Sequence, residues 1–253
     1  MNIMREVNDE LIVVKYGSTS VTGEYTSIEQ LNTNIKRYSA DLAQYAGRLL
    51  VVSSGAVFCG RILASRAGRI IEDEAILATT GNPMLFRLWQ ESFSTHGLLS
   101  SQILPTHREL QIEEERVRLK EVLARSISAS VIPIVNENDA LSDEELKKLV
   151  YGGDNDGLAA EVARLIGSRR LILFTDVDGF EVDGRVQERL SLSECEGLAS
   201  YANGSNRGGG MITKLNAALG FVKSGEGKVV HIARAGTPID DVLNCRAGTV
   251  IAA

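Results

Sequence analysis

The sequence predicts an α/β protein, a three-layer αβα sandwich around a mostly parallel sheet. Short, continuous apolar runs such as Leu11-Ile12-Val13-Val14, Leu49-Leu50-Val51-Val52 and Leu171-Ile172-Leu173-Phe174 read as strands buried on both faces. Stretches with helical apolar spacing separate them, and that alternation calls for parallel strands covered by helices. Strand after strand ends in a polar or glycine-rich tip. The carboxyl edges of such a sheet converge on one side, so the tips are expected to form a single ligand site.

Bulk properties narrow the function. The 253 residues, 44% of them hydrophobic, suit one domain spanning 1–253 that buries its core without disulfides or metals. A net charge of −6 argues against a general nucleic-acid or anionic-membrane surface, so neither partner is expected. Cys59, Cys195 and Cys245 are scattered and odd in number, which fits a reducing, cytoplasmic compartment. His96, His107 and His231 are equally dispersed, against a zinc site. No apolar run reaches membrane-spanning length, and the N-terminus lacks a signal-peptide layout.

In chain order, the first strand runs into Lys15-Tyr16-Gly17-Ser18, a cation and a glycine where open α/β sheets bind ligands. Residues 27–45 form an amphipathic helix through Ile28, Leu31, Ile35 and Leu42. The second strand ends in Ser53-Ser54-Gly55-Ala56, whose amides suit a carboxylate or simply a turn. Residues 72–93 have helical spacing, and Pro83 within Gly81-Asn82-Pro83 predicts a break into two helices. Trp89 reads as core.

A short strand is expected at 101–104, and a helix from Glu113, whose acidic start favours the dipole. Val131-Ile132-Pro133-Ile134-Val135 is a strand that its proline pushes toward a sheet edge or a strand end. It leads to Asn136-Glu137-Asn138-Asp139, four side chains suited to amines or amides, or to an Asx turn. Tyr151-Gly152-Gly153-Asp154-Asn155-Asp156-Gly157 opens the next helix. Its resemblance to a calcium loop fails, because the twelfth residue from Asp154 is Leu165 rather than glutamate. The strand at 171–174 ends in Thr175-Asp176-Val177-Asp178-Gly179, a turn in any reading. A helix is expected over 191–201, and final strands over 228–232 and 249–252.

Between them lies Arg207-Gly208-Gly209-Gly210-Met211-Ile212-Thr213-Lys214. Glycines opening a helix present free amides and a positive dipole end to an anion. Lys214 in the first turn opposes that dipole, and makes sense if an anion occupies the loop. The pattern is neither a Walker loop nor a dinucleotide fingerprint.

Together these tips resemble those of the glutamate 5-kinases, a branch of the amino acid kinase family. The six are Lys15-Tyr16-Gly17-Ser18, Val52-Ser53-Ser54-Gly55-Ala56, Asn136-Glu137-Asn138-Asp139, Gly153-Asp154-Asn155-Asp156, Thr175-Asp176-Val177-Asp178-Gly179 and Gly209-Gly210-Met211-Ile212-Thr213-Lys214, in order along nearly the whole chain. The resemblance implies ATP and Mg2+ as cofactors and transfer of phosphate to the γ-carboxylate of glutamate. It implies an amino acid site in the N-terminal half, a nucleotide site in the C-terminal half, and a homo-oligomer. Lys15 and Lys214 would contact the transferring group, with Asp156 holding both. Gly17, Ser54, Gly55, Asn136, Asp139 and Asn155 would bind the acceptor. Lys15, Thr175, Asp176, Gly208, Gly209, Gly210, Met211 and Lys214 would line the nucleotide, with Mg2+ held through ATP phosphates rather than by a protein cluster.

The sequence departs from that pattern at Glu181-Val182-Asp183-Gly184, at Gly208 and at Asn82-Pro83, and it stops where many such kinases continue into an RNA-binding-type PUA domain. A different carboxylate or phosphate acceptor, or a catalytically weak sensor, are the rival expectations. The chemistry favours a kinase: a glutamate side chain with a reference pKa of about 4.3 is already an ionised nucleophile, so no general base is needed.

Overall fold

The computed structural model of this chain describes residues 11–18, 20, 27–142, 154–182, 184–204 and 210–253. The first half runs β1 (Ile12–Tyr16), α1 (Ile28–Leu42), a single 3-10 turn, β2 (Leu49–Ser53), α2 (Ala56–Arg66) and α3 (Glu74–Ser94). It continues through β3 (Leu99–Ile103), α4 (His107–Gln111), α5 (Glu113–Ser128) and β4 (Val131–Val135). The second half has α6 (Asn155–Leu165), β5 (Arg170–Thr175), a hairpin of β6 (Glu181–Val182) and β7 (Arg185–Val186), then β8 (Arg189–Ser191) and α7 (Leu192–Gly204). It closes with α8 (Gly210–Val222), β9 (Val229–Arg234), α9 (Ile239–Leu243) and β10 (Thr249–Ala252).

Eight strands form one sheet in the order β3-β4-β2-β1-β5-β9-β10-β8. Every pairing is parallel except β9 with β10. Strand alternation splits the core in two. Val13, Leu50, Val52, Leu171 and Leu173 face a cluster completed by α5, α6 and α8. Ile12, Val14, Tyr16, Leu49, Val51, Ile172 and Phe174 face the opposite cluster, built from α1, α2, α3 and α9. This is the expected three-layer sandwich. It has a mechanical consequence for the site: Lys15 shares the face of Val13, so it points toward α6 and α8.

Two expectations about proline are corrected. Pro83 does not divide the helix, because α3 runs unbroken through it. The ring and Thr79, whose carbonyl loses its bond, are both exposed, so water replaces what proline removes. Pro133 does not force an edge either: β4 lies between β3 and β2. The β3 ladder passes through Ser101↔Pro133, whereas the β2 ladder begins one residue later, at Val51↔Ile134. A short second ladder accommodates a residue that lacks an amide proton.

Trp89 is fully buried, as expected, and donates its indole N–H to Ser53 Oγ at 2.9 Å. The helices α2, α4 and α9, the hairpin and β8 lie outside the elements expected from sequence.

Candidate active site

At the carboxyl edge of β1, Lys15 is only 5% exposed and its Nζ forms an ion pair with Asp156 Oδ1 at 2.6 Å. Lys214, from the first turns of α8, reaches the other oxygen: its Nζ donates to Asp156 Oδ2 at 3.0 Å. Thr213 Oγ1 donates to the same oxygen at 3.1 Å. Asp156 sits in the first turn of α6, which Asp154 caps by accepting from the amides of Asp156 and Gly157. Three elements remote in sequence thus deliver two ammonium groups and one carboxylate to one buried point. The expected bridging geometry of Asp156 is present.

Burial opposes ionisation of Asp156, but the ammonium groups of Lys15 and Lys214 outweigh it and hold the carboxyl below its ordinary range. Burial lowers the Lys15 pKa, with Asp156 opposing and Lys214 reinforcing that fall. Asp156 bonds both ammoniums and Asp154 acts on Lys15 from farther off, so an anion entering the crevice would find two cationic donors already gathered at one point. Gly17 keeps the approach open, since a Cβ there would lie 3.2 Å from Lys15 Nζ.

Beside this cluster is a cavity of about 140 Å³ lined by Ser18, Ser54, Gly55, Ala56, Val57, Phe58, Asn136, Asp139 and Asn155. The tips of β1 and β2 are tied together, Ser54 N donating to Tyr16 O at 3.0 Å. Gly55 caps α2 with φ of 119°, a left-handed conformation that favours glycine, and no side chain among the described residues caps this helix end. The first helical bond there is Cys59 N to Gly55 O. The amides of Ala56, Val57 and Phe58 therefore offer unsatisfied donors and the positive dipole end to an occupant. On the far wall, Asn155 Nδ2 donates to Ser54 Oγ at 2.7 Å and to Asn136 Oδ1 at 3.1 Å. Asn155 Oδ1 is buried with no partner among the described residues. A pocket with helix-start amide donors on one wall and the acceptors of Asp139 and Asn155 on the other suits a small zwitterion.

The third part lies past β5. Thr175 is buried, and its Oγ1 donates to Asp176 Oδ1 at 3.1 Å. Arg234, at the end of β9, donates to Asp178 Oδ1 at 2.6 Å and to the carbonyl of Asp176. Gly179 sits where a Cβ would meet Thr249 Oγ1 at 2.7 Å, and Phe180 N donates to that hydroxyl at 2.7 Å. The loop is pinned on both sides.

Of the residues singled out in the sequence, the structure brings Lys15, Lys214 and Asp156 together with Gly17 beside them, and lines the adjoining cavity with Ser54, Gly55, Asn136, Asp139 and Asn155. Thr175 and Asp176 stand at the neighbouring strand tip. Gly210 opens α8, and Met211 is half-buried where it packs against the core. Gly208 and Gly209, the loop motif residues 151–153 and Asp183 lie outside the described residues. The structure adds Arg234. It also gives bonding partners to Thr213, which the sequence showed only as part of the glycine-loop motif, and to Asn82, which the sequence showed only as a departure from the family pattern. Among the described residues, no three His, Cys, Asp or Glu side chains gather as metal ligands, and no helix is long and apolar enough to cross a membrane.

Comparison with known proteins agrees with this geometry. The chain is 35% identical over 222 residues to glutamate 5-kinase 2 of Pseudoalteromonas translucida, spanning 83% of this chain but 59% of that protein. It is 30% identical over 249 residues to a glutamate 5-kinase of Clostridium perfringens, covering 92% of this chain and 91% of the other. Among solved structures, a carbamate kinase from Giardia lamblia bound to citric acid aligns over 97% of this chain and 99% of its own, with a TM-score of 0.71 at 15% identity. An N-acetylglutamate synthase from Neisseria gonorrhoeae aligns over 100% of this chain and 61% of its own, with a TM-score of 0.66 at 19% identity. The model for the amino acid kinase family matches residues 10–234. On its fold, its paired lysines and these matches, the chain belongs to the amino acid kinase family.

Proposed function

We propose that this chain transfers the γ-phosphoryl group of ATP to the γ-carboxylate of L-glutamate, giving glutamyl 5-phosphate, the first step of proline biosynthesis. The observation that carries the reading is the pair of buried lysines sharing one carboxylate at the mouth of an amino-acid-sized cavity. The relatives named glutamate 5-kinase at 30–35% identity support the acceptor.

The residues divide the work. The α2 amides and the hydroxyl of Ser54 orient the acceptor, with Asp139 and Asn155 beside them. A carboxylate oxygen attacks the γ-phosphorus as the bond to the ADP oxygen breaks, and ADP leaves with that electron pair. No proton moves, so no general base is required. Lys15 and Lys214 neutralise charge on the transferring group, in a crevice where such donors act far more strongly than in water. Asp156 fixes both ammoniums before substrate arrives and so reduces reorganisation. Mg2+ would travel on the ATP phosphates and supply further charge neutralisation.

The test is ADP release with Mg-ATP and L-glutamate, with hydroxylamine present to trap the acyl phosphate as a hydroxamate. The reading predicts ADP release that requires glutamate and yields hydroxamate in equal amount. Absence of both, with glutamate and its close analogues, rejects it. A second reading keeps phosphoryl transfer but changes the carboxylate acceptor. Asn82, a departure from the related pattern that bonds to a pocket residue, favours it. A better acceptor than glutamate in a panel of carboxylates would establish that version.

A further inference from the structure

Behind the acceptor cavity, and outside its lining, Asn82 is 6% exposed within α3. Its Oδ1 accepts from Asn136 Nδ2 at 2.9 Å. Asn136 Oδ1 in turn accepts from Asn155 Nδ2 at 3.1 Å, and the second proton of that amide goes to Ser54 Oγ at 2.7 Å. The four side chains form a single directed relay. Side-chain amides can point either way, so the relay has two possible polarities.

In the observed one, Asn155 uses both protons and leaves one acceptor, Oδ1, without a partner among the described residues. In the reverse one, Asn155 would leave two buried donors unpaired, which is the costlier arrangement. The polarity decides what the cavity reads. When Ser54 Oγ accepts from Asn155, its own proton is free to go to a ligand oxygen. When the relay reverses, Ser54 donates inward and presents only lone pairs.

We propose that Asn82 is a specificity-determining positioning residue: by accepting from Asn136 it fixes the relay so that Ser54 donates to, and so selects, a carboxylate over a carboxamide. This rests on the acceptor reading given above. The close seating of α3 makes the anchor rigid. A Cβ on the adjacent Gly81 would meet Ala56 O at 1.9 Å, so the backbone beside Asn82 is held directly against the start of α2.

The experiment compares wild type, Asn82→Leu, which removes the anchor, and Asn82→Asp at pH 8, which retains only acceptors at the same place. Calorimetry in Mg-ADP measures binding of L-glutamate, L-glutamine and L-isoglutamine, which exchange one or the other carboxylate for a carboxamide. Nitrogen-15 spectra record the side-chain amides of Asn136 and Asn155 without ligand. The expectation is a preference of wild type for the acid over one of the two amides of about tenfold or more. That preference falls toward unity in Asn82→Leu and is retained in Asn82→Asp, and the two amide signals move only in Asn82→Leu. An unchanged acid-to-amide ratio in Asn82→Leu, or unmoved amide signals, overturns the proposal. If wild type binds none of the three compounds, glutamate as acceptor falls, while the amide signals still decide for or against the relay.

Discussion

Asp156 concentrates the account at the scale of single residues, and its two partners are not equivalent to it. Replacing Lys214 by Ala leaves Lys15 and Asp156 as a one-to-one pair, so the fold should persist. Turnover should fall by at least about a hundredfold, the size expected for one donor to the transferring charge, while nucleotide binding is largely kept. Steady-state kinetics with nucleotide titration checks both, and unchanged turnover would contradict the role. Replacing Asp156 by Ala instead strands two buried ammoniums. Denaturant unfolding should show a loss of about 3–5 kcal/mol. Lys214 was legible in sequence because a cation in the first turn of a helix opposes the dipole, and Lys15 because it ends a buried strand. The role of Asp156, an acid where the dipole favours one, came from the family resemblance. Arg234 was not legible, since an arginine at a strand end looks ordinary until its partner is known.

Among the elements, α2 and α3 set the acceptor cavity, and glycine lets them touch. A Cβ at Gly60 would lie 2.0 Å from Leu77 O, and one at Gly81 would lie 1.9 Å from Ala56 O. These are backbone atoms that cannot turn aside. Gly81→Ala should cost roughly 3 kcal/mol through forced separation of the helices. Its melting temperature should drop by about 5–10 °C. Calorimetry checks this, and a wild-type melting point would show that the helices shift freely. Sequence periodicity revealed α3 but misjudged Pro83, because the pattern does not report that its ring and the carbonyl four residues back both face water. The α2 helix escaped for another reason: Gly55 and the small residues after it read as a turn, and helix and turn share that composition. Pro133 was misplaced because strand order lies in long-range pairing, which no local pattern carries.

For the whole molecule, the sandwich makes acid stability predictable. His231 lies within β9 between Ile172 and Val250, and burial, reinforced by Arg170, lowers its pKa to about 4. The unfolded chain binds that proton near pH 6.5 and the folded chain does not until about pH 4, so stability is full above pH 6.5 and falls as the pH drops to 4. The loss reaches about 3 kcal/mol, and urea unfolding of His231→Leu over that window should lack it. The overall architecture was readable from apolar runs alone, because strands buried on both faces admit few arrangements. The gathering of both lysines on one carboxylate was implied only by the resemblance to the glutamate 5-kinases, since it needs β1, α6 and α8 brought together and no local pattern carries that. A crystal structure with Mg-ADP, aluminium fluoride and L-glutamate tests that convergence most directly. Both lysine Nζ atoms should lie within hydrogen-bond distance of the fluoride, with glutamate in the cavity beside Ser54. Fluoride bound elsewhere, with either ammonium turned away from it, would contradict the account.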